Sequence, residues 1–370
     1  MKITKINLVG FRNYLNTTIE FGPKMNIFIG DNAQGKTNIL EGITILALTK
    51  SHRIGVSPNI IMFGKNKCKL IGTIKKDKII SKLEIEISEN IKKLKVNKTD
   101  IKKIADYISY LNIIIFTPDD LEIIKGSPNV RRNLLNIQLS QMSKEYIKNY
   151  NEYNKLLKTR NEYLKILFNN SIADNNYLDI ITDKLIEKAV FIYQKRKEYI
   201  DFVNLNINNY YNKISNDEGI VVKYVPNINL DEYDSESIRK KLKHTLKKNY
   251  LKELNYGMTM YGPHRDDFYF EYKNTDLRYF GSQGQQKLAI LSFKLAEIPI
   301  FKKYCSTLPV LLLDDIFSEL DIKKRNKLLK IINEDEIQSI ITTTDLKNIN
   351  KKYLSEANIY SVSKGIIERK

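Results

Sequence analysis

Apolar and polar residues alternate along the first thirty positions, in KINLV (5–9), TTIEF (17–21) and MNIFIG (25–30). That period of two predicts strand, turn, strand. KTNILEGITILAL (36–48) shifts to helical spacing, and KLIGTI (69–74), KLEIEIS (82–88) and KKLKVN (92–97) return to alternation, as antiparallel strands with one wet face do. LNIIIF (111–116) reads as a fully buried strand. From Val130 to Leu167 apolar and aromatic side chains recur at helical spacing; a polar break, NNSIADNN (169–176), follows, and the pattern resumes from Tyr177 to about Tyr211. Two such helices predict an antiparallel hairpin, each arm roughly 50 Å long at 1.5 Å per residue. A third helix is expected over about 235–255. Strand character returns at FYFEY (268–272), VLLLDD (310–315) and SIITTTD (339–345).

Composition narrows the class. At 370 residues the chain is one large or two ordinary domains, with 42% hydrophobic residues to build a core. No apolar run reaches the length of a membrane span, and the N-terminal strand pattern lacks the apolar core of a signal peptide. Two cysteines 237 positions apart and three histidines build neither a disulfide framework nor a Cys/His metal cluster, which fits a reducing cytoplasm. The net charge of +18 suggests a polyanionic partner. A chain crowded with Lys, Asn and Ile also carries that charge through compositional bias, so charge alone weighs evenly between the two. Of the 61 basic residues only 11 are arginine, and several sit in motif-like places, among them Arg12, Arg53, Arg131, Arg132 and Arg265. Arginine's rigid fork suits phosphate in a way lysine does not match.

The chemistry begins at Gly30-Asp31-Asn32-Ala33-Gln34-Gly35-Lys36-Thr37, a Gly-x-x-x-x-Gly-Lys-Thr pattern between an apolar strand and a helix. Its glycines let the backbone curl around phosphate oxygens, and its N–H groups and the helix N-terminus attract the anion. Lys36 reaches the β and γ phosphates of ATP, and the Thr37 hydroxyl ligates Mg²⁺. PVLLLDDIFSELD (309–321) supplies the matching acids: Asp314 at the end of a buried strand for the metal, and Asp315 to orient the attacking water. The 277 residues from Thr37 to Asp314 exceed what a compact kinase or small GTPase holds, so the fold is split by an insertion, and the helical hairpin is the natural candidate. Ser282 and Gly284 precede a further helix and form a second anion site. One chain holds one nucleotide, so this second site calls for an opposing subunit, each ATP lying between one Walker loop and the other copy's Ser282–Gly284.

FRNY (11–14), GDNAQGKTNILEGI (30–43), SHR (51–53), FTPDDLEIIKGSPNVRR (116–132), YGPHRDD (261–267), SQGQQK (282–287), LLLDDIFSELD (311–321) and ITTTDL (341–346) together resemble the RecF family, which belongs to the ABC-type ATPases alongside SMC proteins. The resemblance spans nearly the whole chain, and GPHRDD and DDIFSELD carry it more specifically than the P-loop does. It implies an α/β, ABC-type head from residues 1–115 and 255–370, with a mixed sheet and antiparallel strands. An α-helical arm domain containing the hairpin is inserted over 116–254. It implies an ATPase that dimerises on ATP, binds duplex and single-stranded DNA largely independently of sequence, and hydrolyses slowly when DNA is bound. RecO and RecR would be its partners in loading RecA at single-strand gaps, in repair and damage signalling.

Residue by residue, the resemblance makes Gly30 to Thr37 the Walker A loop and Asp314 and Asp315 the Walker B metal ligand and catalytic carboxylate. Ser282, Gly284 and Gln285 become the signature motif, and Ser318 to Asp321 the D-loop at the seam between heads. Arg12 falls where such heads keep an arginine near the nucleotide, and Arg53 is a phosphate or DNA contact. Two positions depart from the general ABC pattern. Thr343-Thr344-Asp345 stands where the switch histidine belongs, and TPDD, with Asp119 and Asp120, stands near the place of the lid glutamine. His264 and Arg265 receive no role from sequence. An SMC-like tether would need longer rods than this hairpin, a nuclease would need an added acidic metal domain, and a transporter ATPase would need a membrane partner.

Overall fold

The computed structural model describes residues 1–53, 60–89, 91–169, 174–347 and 349–370. The chain forms two compact units, residues 1–121, 206–218 and 283–370 in one and 122–205 and 219–282 in the other.

The first unit holds two sheets. Strands β1 (Lys2–Phe11), β2 (Tyr14–Glu20), β4 (Lys67–Lys76), β5 (Ile79–Ser88), β6 (Lys92–Val96) and β7 (Thr99–Asp100) form an antiparallel sheet in the order β2-β1-β4-β5-β6-β7. The second sheet runs β15-β14-β3-β13-β12-β8, from β3 (Met25–Ile29), β8 (Ile113–Phe116), β12 (Val310–Leu313), β13 (Ser339–Thr343), β14 (Asn358–Ser363) and β15 (Ile366–Arg369). All its neighbours pair in parallel except β14 with β15. Helices α1 (Lys36–Leu48), α2 (Ile104–Ile108), α10 (Gln283–Cys305), α11 (Ile322–Glu334) and α12 (Lys351–Ser355) complete the unit. The alternation read in the antiparallel strands is the observed one: Ile3, Ile6 and Leu8, Leu70 and Ile74, and Leu83, Ile85 and Ile87 turn inward. They share one core with Ile39, Leu40, Ile43 and Leu46 of α1 and with Phe28, Leu312 and Ile340 of the second sheet. Helix α1 is therefore apolar nearly all round because the core surrounds it. The run LNIIIF forms β8, buried at Ile113, Ile114 and Phe116 as expected although it stands at the edge of its sheet.

The outward face of the antiparallel sheet alternates sign. Lys69 pairs with Glu84 at 2.8 Å, Lys5 with Glu20 at 3.0 Å, and Lys67 with Glu86 at 3.6 Å.

The second unit is helical with a small sheet. It contains α3 (Glu122–Lys125), α4 (Pro128–Met142), α5 (Lys144–Asn169), α7 (Ser235–Lys248), α8 (Tyr250–Tyr256), α9 (Leu277–Phe280) and most of α6 (Asn175–Ser215), whose last ten residues belong to the first unit. Strands β9 (Ile220–Val225), β10 (Asp267–Tyr272) and β11 (Thr275–Asp276) pair antiparallel in the order β11-β10-β9. The helix expected over Val130–Leu167 is two helices. Ser143 takes an extended backbone, φ −144° and ψ 116°, and its hydroxyl accepts from the Tyr146 N–H at 3.1 Å, so it caps the second helix instead of continuing the first. The helix expected over 235–255 likewise divides, at Asn249. Residues 170–173 of the expected polar break lie outside the described residues.

Candidate nucleotide site

Strand β3 delivers the chain into the glycine-rich loop, and α1 carries it away. Gly35 has φ +111°, and a Cβ there would lie 2.5 Å from Asn13 Nδ2, so both conformation and space exclude a side chain. At Gly30 a Cβ would lie 2.3 Å from the Val362 carbonyl oxygen. The loop is braced from outside as well. Tyr14 OH donates to the Gly35 carbonyl at 3.0 Å, and Asn13 Nδ2 to that of Gln34 at 3.3 Å. Backbone N–H groups of Lys364 and Gly365 donate to Gln34 Oε1 at 2.7 Å and to its carbonyl at 3.3 Å. Asp31, Asn32 and Ala33 face solvent, and Ala33 sits at φ +65°.

Lys36 folds back on the loop, donating to the carbonyls of Gly30 at 2.6 Å and Asp31 at 2.8 Å. Burial lowers its ammonium pKa, and Asp315, Asp314 and Asp31 oppose that shift. Thr37 and Asp314, 277 residues apart in sequence, meet: the Thr37 hydroxyl donates to Asp314 Oδ1 at 2.9 Å. Strand pairing explains the meeting. Strand β13 lies between β3 and β12, with Leu313 opposite Ile341 and Thr343 opposite Ile29, so the loop after β3 and the acids after β12 emerge at the same edge.

Asp315 stands at φ +46°, a left-handed conformation uncommon outside glycine. Its Oδ2 accepts from the Ser318 hydroxyl at 2.8 Å, while Oδ1 is buried with no hydrogen-bond partner among the described residues. A carboxylate with one oxygen anchored and the other buried and orphaned suits a water or cation not carried by the chain itself. The Thr37 hydroxyl and Asp314 carboxylate form a hard-oxygen pair of the kind that takes Mg²⁺ alongside phosphate oxygens.

Thr342 is the residue sequence reading passed over. Fully buried, its hydroxyl donates to Asp314 Oδ1 at 2.7 Å and accepts from the Asp315 N–H at 3.0 Å, so one side chain fixes both acids. The available signal was its place in ITTTD, on the strand next to the one ending in the acids. Glu41 was also missed. Entirely buried on α1, it accepts from Arg12 Nε at 2.9 Å, Arg12 Nη2 at 2.7 Å and the Ser51 hydroxyl at 2.6 Å. Arg53 Nη1 lies 4.0 Å from it and donates to Asn38 Oδ1 at 3.3 Å. Burial raises the Glu41 carboxyl pKa, but the hydrogen bonds from Arg12 and Ser51 and the arginine charges outweigh it and hold the group below its ordinary value. Arg12 and Arg53 thus share one buried carboxylate on the Walker helix.

Where the sequence predicts a second anion site, Ser282, Gln283 and Gly284 are exposed and Gln285 is half-buried. A Cβ on Gly284 would meet nothing within 4 Å. Lys287, one turn on, forms an ion pair with Glu319, which connects the start of α10 to the segment after β12. Ser318 is exposed beside Asp315, and Asp321 caps α11 through the Lys324 N–H at 2.9 Å. Asp120 is committed elsewhere: it pairs with the buried Lys294 and accepts from the Thr117 N–H at 2.8 Å, while Asp119 faces solvent. Thr343 donates to the Asp345 carbonyl at 2.9 Å.

The GPHRDD stretch receives its role from the second unit's interior. Asp267 takes Arg131 in a two-pronged pair, at 2.5 and 2.9 Å, and Asp266 takes Arg196 at 2.9 Å together with Tyr224. His264 Nδ1 lies 2.6 Å from the Tyr153 hydroxyl. Arg131 and Arg196 are fully buried, so these acids satisfy charges that would otherwise be stranded. Arg265 faces solvent.

Residues 2–368 match the family described as RecF/RecN/SMC N terminal domain. The DNA replication and repair protein RecF of Clostridium botulinum (strain ATCC 19397 / Type A) is 41% identical over 373 residues, covering all of both chains. That of Listeria monocytogenes serotype 4b (strain F2365) is 38% identical over 370 residues, again covering all of both. Among solved structures, the recombination mediator protein RecF-ATP of the RecFOR pathway superposes with a TM-score of 0.90 at 31% identity, covering 100% of this chain and 97% of the other. The Smc head domain derived from Pyrococcus furiosus, bound to the C-terminal domain of ScpA, gives a TM-score of 0.57 at 16% identity over 100% and 95% of the two chains, a likeness of fold.

Proposed function

We propose a clamp mechanism from one premise: the chain belongs to the RecF family, ATPases with the ABC/SMC head fold that act in DNA replication and repair. In this reading two copies close on ATP, their joined basic faces hold DNA by its phosphates, and hydrolysis opens them. One observation carries it. The first unit brings Lys36, Thr37, Asp314 and Asp315 together at one edge of its sheet, while Gly284 stands exposed with open space where its Cβ would be. The chain's own packing does not require glycine there. A surface that must be approached closely from outside does, and the matching ligand is the γ-phosphate of ATP held by a second copy.

The residues divide the work. Lys36 exchanges the carbonyls of Gly30 and Asp31 for phosphate oxygens. Thr37 and Asp314 would hold Mg²⁺, which would supply positive charge to the phosphates. Asp315 aligns water through its orphaned oxygen, and Thr342 holds both acids in register. Arg12 and Arg53, tethered by Glu41, set positive charge beside the loop. Ser282, Gly284 and Gln285 face the partner's nucleotide, with Ser318 and Asp321 at the seam. Removing the γ-phosphate removes the contact made only in the paired state, so nucleotide acts by differential affinity for the two states. DNA-dependent acceleration of a slow hydrolysis, action at single-strand gaps with RecR and RecO in support of RecA loading, and a cytoplasmic location complete the reading. Among the described residues no helix is long and apolar enough to cross a membrane.

Sedimentation velocity with and without ATP tests the clamp. Wild-type protein should pair with ATP and Lys36→Ala should stay monomeric; ATP-dependent pairing of Lys36→Ala refutes the reading.

A further inference from the structure

Helix α7 carries Arg239, Lys240, Lys241, Lys243, Lys247 and Lys248 in 14 residues, against 61 basic residues in the 370 of the chain. Its only acid is Glu236, in the first turn. The buried stripe is narrow: Ile238, Leu242 and Leu246, each four residues on from the last. Arg239, Lys240, Lys243 and Lys247 are exposed, from the edge of that stripe round to the side opposite it. Among the described residues, of these four only Lys243 has an ion-pair partner, Asp183 at 2.7 Å, and that pair is itself exposed. Exposed pairs of this kind are weak and are readily exchanged for another anion.

Two simpler accounts fall short. Cations in a last turn favour the helix dipole, which accounts for Lys247 and Lys248 but not for Arg239, Lys240 or Lys243. Compositional bias fills surfaces with lysine generally, yet on the outer face of the antiparallel sheet Lys5, Lys67, Lys69 and Lys95 each have an acidic partner, in Glu20, Glu86, Glu84 and Asp100. Helix α7 sets six basic residues against one acid. Along its exposed side, Arg239, Lys243 and Lys247 form one i, i+4 ridge with steps of about 6 Å. Three cations in line on one ridge can each meet a backbone phosphate.

We infer that the exposed face of α7 is a contact surface for the phosphate backbone of duplex DNA. It lies on the helical unit, outside the nucleotide site, and it rests on the clamp reading only in requiring that the protein bind DNA. Because the contact is made by charge and not by base edges, it is indifferent to sequence.

The test compares wild type with the fourfold variant Arg239→Gln, Lys240→Gln, Lys243→Gln, Lys247→Gln, measuring affinity for a duplex from 50 to 250 mM KCl with ATP present. Each lost phosphate contact lowers the slope of log affinity against log salt by about 0.9, so loss of the three ridge contacts should flatten it by about 3. A matched variant of the sheet face, Lys5→Gln, Lys67→Gln, Lys69→Gln, Lys82→Gln, should leave the slope near that of wild type. ATP-dependent pairing, measured in parallel, should be unchanged in both, which shows that the variants are folded. If wild type binds and the α7 variant keeps its slope, α7 is not a contact and the clamp reading stands. If wild type neither pairs nor binds duplex DNA with ATP, the clamp reading fails and this inference with it.

Discussion

Placing a leucine at Gly284 separates the demands of the chain from those of a partner. The position is the second residue of α10, exposed, with nothing within 4 Å of where Cβ would lie, so the chain's own packing leaves room for a side chain to start there. Removing a helical glycine gains up to about 1 kcal/mol, less near a helix end. The variant should therefore unfold at wild-type or slightly higher denaturant. Pairing should suffer. A hydrogen bond from a backbone N–H to a charged phosphate contributes about 1.5–3 kcal/mol. A symmetric pair has two such sites, so blocking both costs about 3–6 kcal/mol, or roughly two to four decades in the dimer dissociation constant. Sedimentation velocity over a concentration series with ATP reads that constant directly, and ATP affinity of the monomer, measured below the pairing concentration, should be unchanged. A Gly284→Leu protein that pairs on ATP as wild type does would refute the idea that this glycine is kept clear for a second copy's nucleotide.

The other expectations follow the same geometry. Asp315→Asn should bind ATP and remain paired, because alignment of water is lost while the phosphate and metal contacts persist; loss of ATP binding in a filter assay would make Asp315 structural. Thr342→Val deletes a hydrogen bond to a carboxylate, worth about 1.5–3 kcal/mol, and should slow hydrolysis roughly ten- to a hundredfold, with Thr342→Ser restoring most of it; equal turnover in all three proteins would dismiss Thr342 as a positioning residue. Burial, opposed by the hydrogen bond with the Thr259 carbonyl, pushes the His264 pKa down to about 4. Between the ordinary pKa of about 6.5 and that value the unfolded chain binds a proton that the folded one refuses, so stability falls as pH falls through the window, by about 2 kcal/mol at pH 5 relative to neutral pH. Urea unfolding at pH 7 and pH 5 should show that loss in wild type and not in His264→Gln, and parallel losses would exclude His264 as the source.

The phosphate loop was legible because its meaning is local: eight consecutive residues with their strand before and helix after. The acids after β12 were legible because four consecutive buried aliphatics leave few alternatives to a central strand. What stayed hidden depends on register. Thr342 looks like any strand threonine until Leu313 is set opposite Ile341, which brings the next residue beside Asp314. Glu41 reads as a polar residue on a helix until burial leaves it facing two arginines. The Ser143 break escaped because helical periodicity runs straight through it, although serine ahead of a helix-forming run is a cap signal. Strand β9 pairs with FYFEY across a span that contains two helices, and no short-range pattern announces such a pairing. The GPHRDD stretch, left without a role by the sequence, shows what register-dependent packing adds. A dense run of polar residues looks like chemistry, yet Asp266 and Asp267 neutralise arginines inside the helical unit.

The C-terminal hairpin has a consequence for anyone who edits or expresses this gene. Strands β14 and β15 and the turn between them abut the glycine loop through Val362, Lys364 and Gly365. Removing the chain from Val362 onward would leave every recognisable motif intact and still unseat the loop.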